Sequence, residues 1–263
     1  MPGFRQTLPS CLLALLALTQ CTSEEAPARD AQDRPSVQLM TSLPLVWGEG
    51  ASMDAILSGE SEPAPIYRYW QSQYSVTAVD SLENLAQENP DTVILAQPRA
   101  MDPADLADLD AWVRAGGAVV ILTDPDLVWP SDLPFGDPRR ALVTGLLSPL
   151  LGHWGLELVG LGDQRGKGVR LRVGKYGFIS HGIGKIEPLA EGVSADAQCD
   201  IGEAGFVARC SIGKGRATIV ADADLLNAAL WPDAARDSPG KSDAVRFVDS
   251  LVRQQNFPAR RKP

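Results

Sequence analysis

The chain of 263 residues carries 24 Lys and Arg against 33 Asp and Glu, which gives a formal net charge of −9 at pH 7. Hydrophobic residues make up 44% of the sequence and charged residues 22%, so the chain can bury a sizeable core. This composition argues against a disordered chain and a polytopic membrane protein. The acidic balance argues against nucleic-acid binding, which requires clustered Lys and Arg side chains.

The N-terminal residues 1–21 are predicted to form an export signal. Arg5 precedes an apolar run over 11–18, which is too short to span a bilayer as a helix, since spanning takes roughly 20 apolar residues. The run ends in Leu18-Thr19-Gln20-Cys21, which resembles a bacterial lipoprotein box, although Gln20 stands where a small residue is usual. Cys21 is therefore the candidate lipidation site, and a cleaved soluble signal or an uncleaved apolar tail is the alternative.

The next segment, residues 22–36, has almost no large apolar side chain and cannot bury enough surface to order itself. We expect a flexible linker between an anchor and a folded domain. Residues 255–263 form a basic tail. This organisation predicts a location on the periplasmic side of a bacterial membrane, either lipid-anchored or soluble.

Two cysteines, Cys199 and Cys210, remain in the folded part once the signal is set aside. Their spacing does not fit a zinc site, and no histidine lies near them in the sequence. They flank a turn-rich stretch, which places them on paired strands of a hairpin. In an oxidising compartment they would form a disulfide, and two buried free thiols are the alternative.

Up to residue 126, predicted strands and helices alternate with short connections, which is typical of a parallel sheet covered by helices. The predicted strands cover 37–46, 76–79, 92–96 and 118–122. The predicted helices cover 52–57 and 80–87, the latter opened by an Asp80/Glu83 capping box, and a further helix begins at Pro103. The aromatic segment 66–74 is expected to pack in the core, and a pocket lining is the alternative. The strand at 118–122 has no polar alternation and should be buried on both faces.

Beyond residue 126 we expect a helix over 139–151 and then short, glycine-punctuated strands. These strands cover 169–173, 177–180, 198–201 and 206–212. A buried strand over 217–221 and a helix over 242–254 complete the chain. The predicted fold class is therefore α/β, with a single domain over 37–254 that contains a β-rich insertion at about 156–212.

Two predicted strands end in similar Asp-x-Asp sequences. Asp124 and Asp126 follow one strand, and Asp222 and Asp224 follow the other. In open α/β sheets, ligands bind at the carboxyl ends of the strands, and four converging carboxylates could hold Mg²⁺ or Ca²⁺. The alternative is that these carboxylates accept backbone N–H groups of the strand-end turns. We expect a binding or structural site at this edge and not a catalytic one.

Catalytic motifs find little support in the sequence. The only histidines are His153 and His181, and there is no G-x-S-x-G elbow, Walker A loop, dinucleotide fingerprint or H-E-x-x-H sequence. Residues 213–216 (Gly-Lys-Gly-Arg) stand between two predicted strands and favour a hairpin turn over a phosphate loop. The sequence predicts no catalytic residues, no metal ligands and no cofactor.

The order of motifs resembles the soluble domain of gliding-motility-type auxiliary proteins of uncharacterised ABC-type transport systems. The resemblance covers roughly residues 37–252 and is carried by three segments. The first segment is Gln97-Pro-Arg99. The second is the predicted helix that ends in Gly116-Gly117, together with the following strand that ends in Asp124-Pro125. The third is the later Gly-Lys-Gly-Arg sequence with its strand that ends in Asp222.

The resemblance implies a flavodoxin-like or class I glutamine amidotransferase-like sheet, mostly parallel and flanked by helices. In those enzymes a Cys follows the strand equivalent to 119–122, whereas this chain has Thr123-Asp124, so the resemblance implies a fold without the catalytic set. It also implies transporter ATPase and permease subunits as partners. The expected function is thus an exported, non-catalytic binding or auxiliary subunit of an ABC-type system. A metal-dependent hydrolase using the Asp-lined edge and a structural envelope lipoprotein are the alternatives.

Overall fold

The computed structural model describes residues 34–162, 167–189 and 196–256, together with Met1 and Gly3. Nearly all of the predicted signal, including Cys21, nearly all of the linker and the end of the basic tail lie outside the described residues. Within the described part, no helix has the length and apolar character needed to cross a bilayer.

The chain contains eleven strands and seven α-helices in the described residues. The strands are β1 Ser36–Thr41, β2 Ser75–Ala78, β3 Thr92–Ala96, β4 Ala118–Leu122, β5 Leu156–Gly160, β6 Val169–Val173, β7 Tyr176–Ser180, β8 Gly184–Pro188, β9 Ala197–Gly202, β10 Val207–Ile212 and β11 Gly215–Val220. The helices are α1 Met53–Ser58, α2 Pro65–Gln73, α3 Leu85–Glu88, α4 Pro103–Ala115, α5 Ser148–His153, α6 Asp233–Arg236 and α7 Asp243–Asn256.

The main sheet has seven strands in the order β2-β1-β3-β4-β11-β10-β9. The pairs among β2, β1, β3, β4 and β11 are parallel, and β10 and β9 add an antiparallel extension. Outside this sheet, β5 pairs with β8 and β6 with β7 in two small antiparallel ribbons. The prediction of a mixed α/β fold with a mostly parallel sheet flanked by helices is confirmed.

Strands β3 and β4 are buried along their whole length, as their unbroken apolar sequences predict. Successive side chains point to opposite faces of the sheet, and each face packs in its own apolar cluster. Ile94 and Val120 contribute to the cluster that includes α2 and α7. Val93 and Val119 contribute to the opposite cluster, which includes α4 and α5.

The helices follow the sequence signals where those signals are strong. Helix α4 begins with Pro103 in its first turn and ends at Gly116, whose φ of 132° is reached easily only without a side chain. Helix α1 has Ser52 as its N-cap, because the Ser52 side chain accepts from the Ala55 N–H. The aromatic segment expected to pack in the core lies in α2, and its Trp70 is fully buried.

Two predicted helices are shorter than expected. The Asp80/Glu83 capping box does not form: the Glu83 N–H donates to the Ser81 hydroxyl, and the helix there is reduced to α3. The helix predicted over 139–151 is wrong except for its last turn, since α5 begins only at Ser148. Pro149 lies in the first turn of α5, where proline is tolerated because its missing N–H would have no partner within the helix.

Strand β1 also ends earlier than the predicted 37–46. After Thr41 the chain leaves the ladder, and the Ser42 N–H donates to the Gln97 carbonyl instead. Pro44 lacks the N–H that a central strand needs to continue its pairing.

The segment predicted as a β-rich insertion, residues 156–212, contains the two ribbons and the strands β9 and β10. Strands β9 and β10 extend the main sheet, whereas the ribbons lie outside it. The boundaries assigned to the domain stay a prediction.

The cysteines lie on the hairpin β9–β10, as predicted. Cys199 and Cys210 are directly opposite each other in the antiparallel register, with Cα atoms 4.0 Å apart, and form a disulfide. The alternative of two free thiols is excluded. Because β9 is the last strand of the sheet, the bond fastens an edge strand that is otherwise held on one side only.

Replacing both cysteines, Cys199→Ser with Cys210→Ser, should lower the free energy of unfolding by about 2–3 kcal/mol. The reason is that the bond closes a short loop and so restricts the unfolded chain. Urea unfolding without reductant measures the loss, and the native protein with dithiothreitol should match the variant. An unchanged midpoint, or two thiols titrating in the unreduced protein, would contradict this prediction.

Candidate functional site

The two Asp-x-Asp sequences come together at one edge of the main sheet. Strands β4 and β11 are parallel neighbours, and Leu122 pairs with Val220 at their carboxyl ends. Asp124 and Asp222 each follow their strand by two residues, so they leave the same edge side by side. Both side chains are fully buried, as is that of Asp224.

One oxygen of each carboxylate is held by a backbone N–H. Asp124 Oδ1 accepts from the Asp126 N–H at 2.7 Å, and Asp222 Oδ1 accepts from the Asp224 N–H at 2.9 Å. Asp224 Oδ2 accepts from the Val128 N–H at 2.7 Å, which ties the turn after β11 to the turn after β4. The carboxylates thus accept backbone N–H groups of the strand-end turns, which was the alternative interpretation of the Asp-x-Asp sequences.

The other oxygen of each carboxylate has no hydrogen-bond partner. Asp124 Oδ2, Asp222 Oδ2 and Asp224 Oδ1 are all buried. One oxygen from each of the three residues lies within 4.8 Å of the others. The structure therefore brings together three of the four predicted aspartates, while Asp126 is only half-buried and stands outside this group. We call Asp124, Asp222 and Asp224 the aspartate cluster.

Burial dominates the electrostatics of the aspartate cluster. Loss of solvation raises the pKa of Asp124, and the nearby Asp222 charge raises it further. Burial likewise raises the pKa of Asp222, with Asp224 adding repulsion, and it raises the pKa of Asp224 to about 6. Three negative charges so close together in a low-dielectric site are strongly disfavoured unless protons or a cation offset them.

Gln97 was not predicted from the sequence, yet it stabilises the carboxyl edge of the main sheet beside Asp124. Gln97 is fully buried and has a φ of 44°, a strained backbone conformation for a residue other than glycine. Its side-chain Oε1 accepts from the Asp124 N–H at 2.7 Å, and its Nε2 donates to the Asp124 and Leu142 carbonyls at 3.0 Å. A polar residue directly after a buried strand and before Pro98 is the signal that could have identified it.

The histidines take no part in the aspartate cluster's described contacts. His153 is the last residue of α5, and its Nε2 lies 3.5 Å from Oδ2 of Asp110 in α4. His181 follows β7, and its imidazole lies near Gly168. The residue before it, Ser180, is fully buried beside Asp222 and lowers the pKa of that carboxyl.

Comparison with known families finds one match. The model of a family described as "ABC-type uncharacterized transport system" matches residues 34–159. These residues extend from β1 to β5 and include β4 and the Asp124 turn, whereas β11 lies beyond the match. No curated protein is significantly similar to this chain.

Three solved structures illustrate the distant similarity of the whole chain. An exo-β-1,4-mannosidase from an Opitutaceae bacterium (strain TAV5) is 15% identical, with a TM-score of 0.43, over 84% of this chain and 36% of that one. A β-galactosidase from Rahnella sp. R3 is 14% identical, with a TM-score of 0.45, over 86% of this chain and 32% of that one. A cytoplasmic protein from Salmonella typhimurium LT2 is 12% identical, with a TM-score of 0.42, over 84% of this chain and 100% of that one.

This chain thus spans about a third of the length of the two glycosidases. The identities and TM-scores are too low to assign a fold subclass or an activity.

Gln97→Ala should lower the free energy of unfolding by about 2–4 kcal/mol, because it leaves the buried Asp124 N–H without a partner and removes one donor from each of the Asp124 and Leu142 carbonyls. Urea unfolding followed by circular dichroism measures the change. Gln87→Ala, which truncates an exposed glutamine of α3, is the matched control and should change stability by less than about 0.5 kcal/mol. Equal effects of the two substitutions would contradict the bracing role of Gln97.

Proposed function

We propose that this chain is an exported, membrane-anchored and non-catalytic auxiliary subunit of an ABC-type transport system. The observation that carries the proposal is the family match over residues 34–159, a family of ABC-type transport systems. The matched residues contain four strands of the main sheet, so the similarity extends through a packed core and is not limited to a short motif.

The burial of the aspartate cluster supports a role without catalysis. A hydrolase that used these carboxylates would have to present one of them, or a water next to it, to its substrate. All three side chains are fully buried, and each is held by a backbone N–H. This favours the auxiliary subunit over the metal-dependent hydrolase.

The fold subclass that we propose is flavodoxin-like, in the form found in class I glutamine amidotransferases. The parallel strands in the order β2-β1-β3-β4-β11 support it, because the doubly wound flavodoxin type has a five-stranded order in which the first strand lies between the second and third. Thr123 and Asp124 stand after β4, where those enzymes carry their catalytic Cys, which is consistent with a scaffold that binds and does not react.

The disulfide supports export, because such bonds persist mainly in oxidising compartments. Residues 22–36 would then connect an acylated Cys21 to β1 and hold the sheet domain near the membrane surface, within reach of a permease. A structural envelope lipoprotein would share the anchor but not the transporter partners.

Cys21→Ser should release the chain from the membrane fraction into the soluble periplasmic fraction, because the substitution removes the thiol that would be acylated. Fractionation and labelling with a radioactive fatty acid measure the effect. Cys11→Ser is the matched control, since Cys11 lies within the predicted apolar run, and it should stay membrane-bound and labelled. A Cys21→Ser chain that fractionates like the native protein would argue against the anchor.

The transporter assignment is tested by purification of a C-terminally tagged chain from detergent-solubilised membranes of the native organism. An ATPase and a multi-span permease should co-purify in fixed ratio with the tagged chain, and they should be lost when Cys21 is replaced if anchoring is required for assembly. Recovery of the anchored chain without either subunit would favour the structural lipoprotein.

A further inference from the structure

We propose that the aspartate cluster, together with the hydroxyl of Ser180, is a closed binding site for one divalent cation, and that this cation is Ca²⁺. The site lies where β4, β11 and β7 approach each other. Its role is structural and does not depend on the transporter assignment.

The geometry of the unpaired oxygens carries the proposal. The three carboxylates offer oxygens that lie within 4.8 Å of one another, and each has one buried oxygen without a hydrogen-bond partner. Calcium binds oxygen at about 2.3–2.6 Å, which places two ligands on opposite sides of the ion up to about 5.2 Å apart. Magnesium, at about 2.0–2.1 Å, requires all ligands within about 4.2 Å. A limit of 4.8 Å fits within the span that Ca²⁺ bridges. The site is closed from solvent and all of its ligands come from the protein, which suits Ca²⁺, because Mg²⁺ usually keeps several of its waters.

Ser180 supplies an observation that is independent of the acidic residues. It belongs to β7, outside the main sheet, and it is fully buried. Its hydroxyl has no partner at hydrogen-bonding geometry, yet it lies close enough to Asp222 to lower the pKa of that carboxyl. A buried neutral oxygen beside Asp222 adds to the three carboxylates a hard ligand of the type that Ca²⁺ prefers.

A cation would also balance the charge of the site when the carboxylates are ionised. Among the described residues, no Lys or Arg forms a salt bridge with the aspartate cluster. The charges that act on these carboxylates are those of the other members of the cluster. A bound divalent ion offsets this repulsion, and the backbone N–H groups of the turns already fix the orientation of each ligand.

The turns that supply the ligands are linked across the edge of the sheet. The Val128 N–H binds Asp224, and the Gly184 N–H donates to the Ala221 carbonyl at 2.8 Å. An ion at the cluster therefore fastens the turns after β4 and β11 to the β7–β8 region. We expect it to enter during folding, because the ligands are closed off from solvent in the folded protein.

The test uses the purified full chain, unfolded in urea with EDTA and refolded either with CaCl₂, with MgCl₂ or without divalent ions. Refolding with Ca²⁺ should leave one equivalent of calcium after desalting, measured by elemental analysis. The melting temperature should rise by about 5–10 °C at a calcium concentration roughly 100-fold above Kd. No retained calcium and no rise would overturn the proposal, and an equal rise with Mg²⁺ would overturn the assignment to Ca²⁺.

Matched variants separate this site from general stabilisation by salt. Asp222→Asn should abolish both calcium retention and the rise in melting temperature, whereas Asp126→Asn, the neighbouring aspartate outside the cluster, should keep both. Ser180→Ala removes the neutral ligand alone and should weaken calcium binding about 10-fold or more. If Asp222→Asn fails to fold, the Ser180→Ala comparison decides. Identical calcium binding by the native chain, Ser180→Ala and Asp126→Asn would overturn the ligand assignment.

Discussion

The parallel pairing of β4 with β11 is the contact on which the rest of the structure depends. It joins the half of the chain that alternates strands and helices to the half that is built mainly of antiparallel strands. It also aligns two strand ends that are distant in sequence, so that two similar turns meet at one edge. Because β4 is buried on both faces, this alignment is held by packing from both sides of the sheet, and the position of each aspartate follows from it.

Much of this arrangement is readable from the sequence, because buried strands leave an unambiguous pattern. The apolar runs at β3 and β4 predict their observed bounds, and Pro103 and Gly116 mark the ends of α4. The helix prediction at 139–151 is wrong over most of its length, because tertiary contacts hold residues 139–147 in an irregular course of turns and bends. Gly145, for example, donates its N–H to the Asp124 carbonyl.

The candidate site could be predicted only in part. A strand end followed by Asp-x-Asp predicts where the carboxylates lie, but not which of them turn inward. Asp224 is buried and accepts the N–H of Val128, a residue distant in sequence, whereas Asp126 is only half-buried. Gln97 was not predicted for a related reason. It stabilises the sheet edge through hydrogen bonds to residues distant in sequence, and local sequence propensity does not predict such bonds.

The disulfide in the β9–β10 hairpin has a consequence for how the sheet is assembled. Side chains on a strand alternate between faces, so a slip of one residue would turn Cys199 away from Cys210. Only the native register, or one shifted by an even number of residues, keeps both sulfur atoms on one face, and only direct opposition brings them within bonding distance. The disulfide can therefore form only in the correct register of β9 and β10, and it then holds this register. A misaligned hairpin stays without the bond and can separate and pair again.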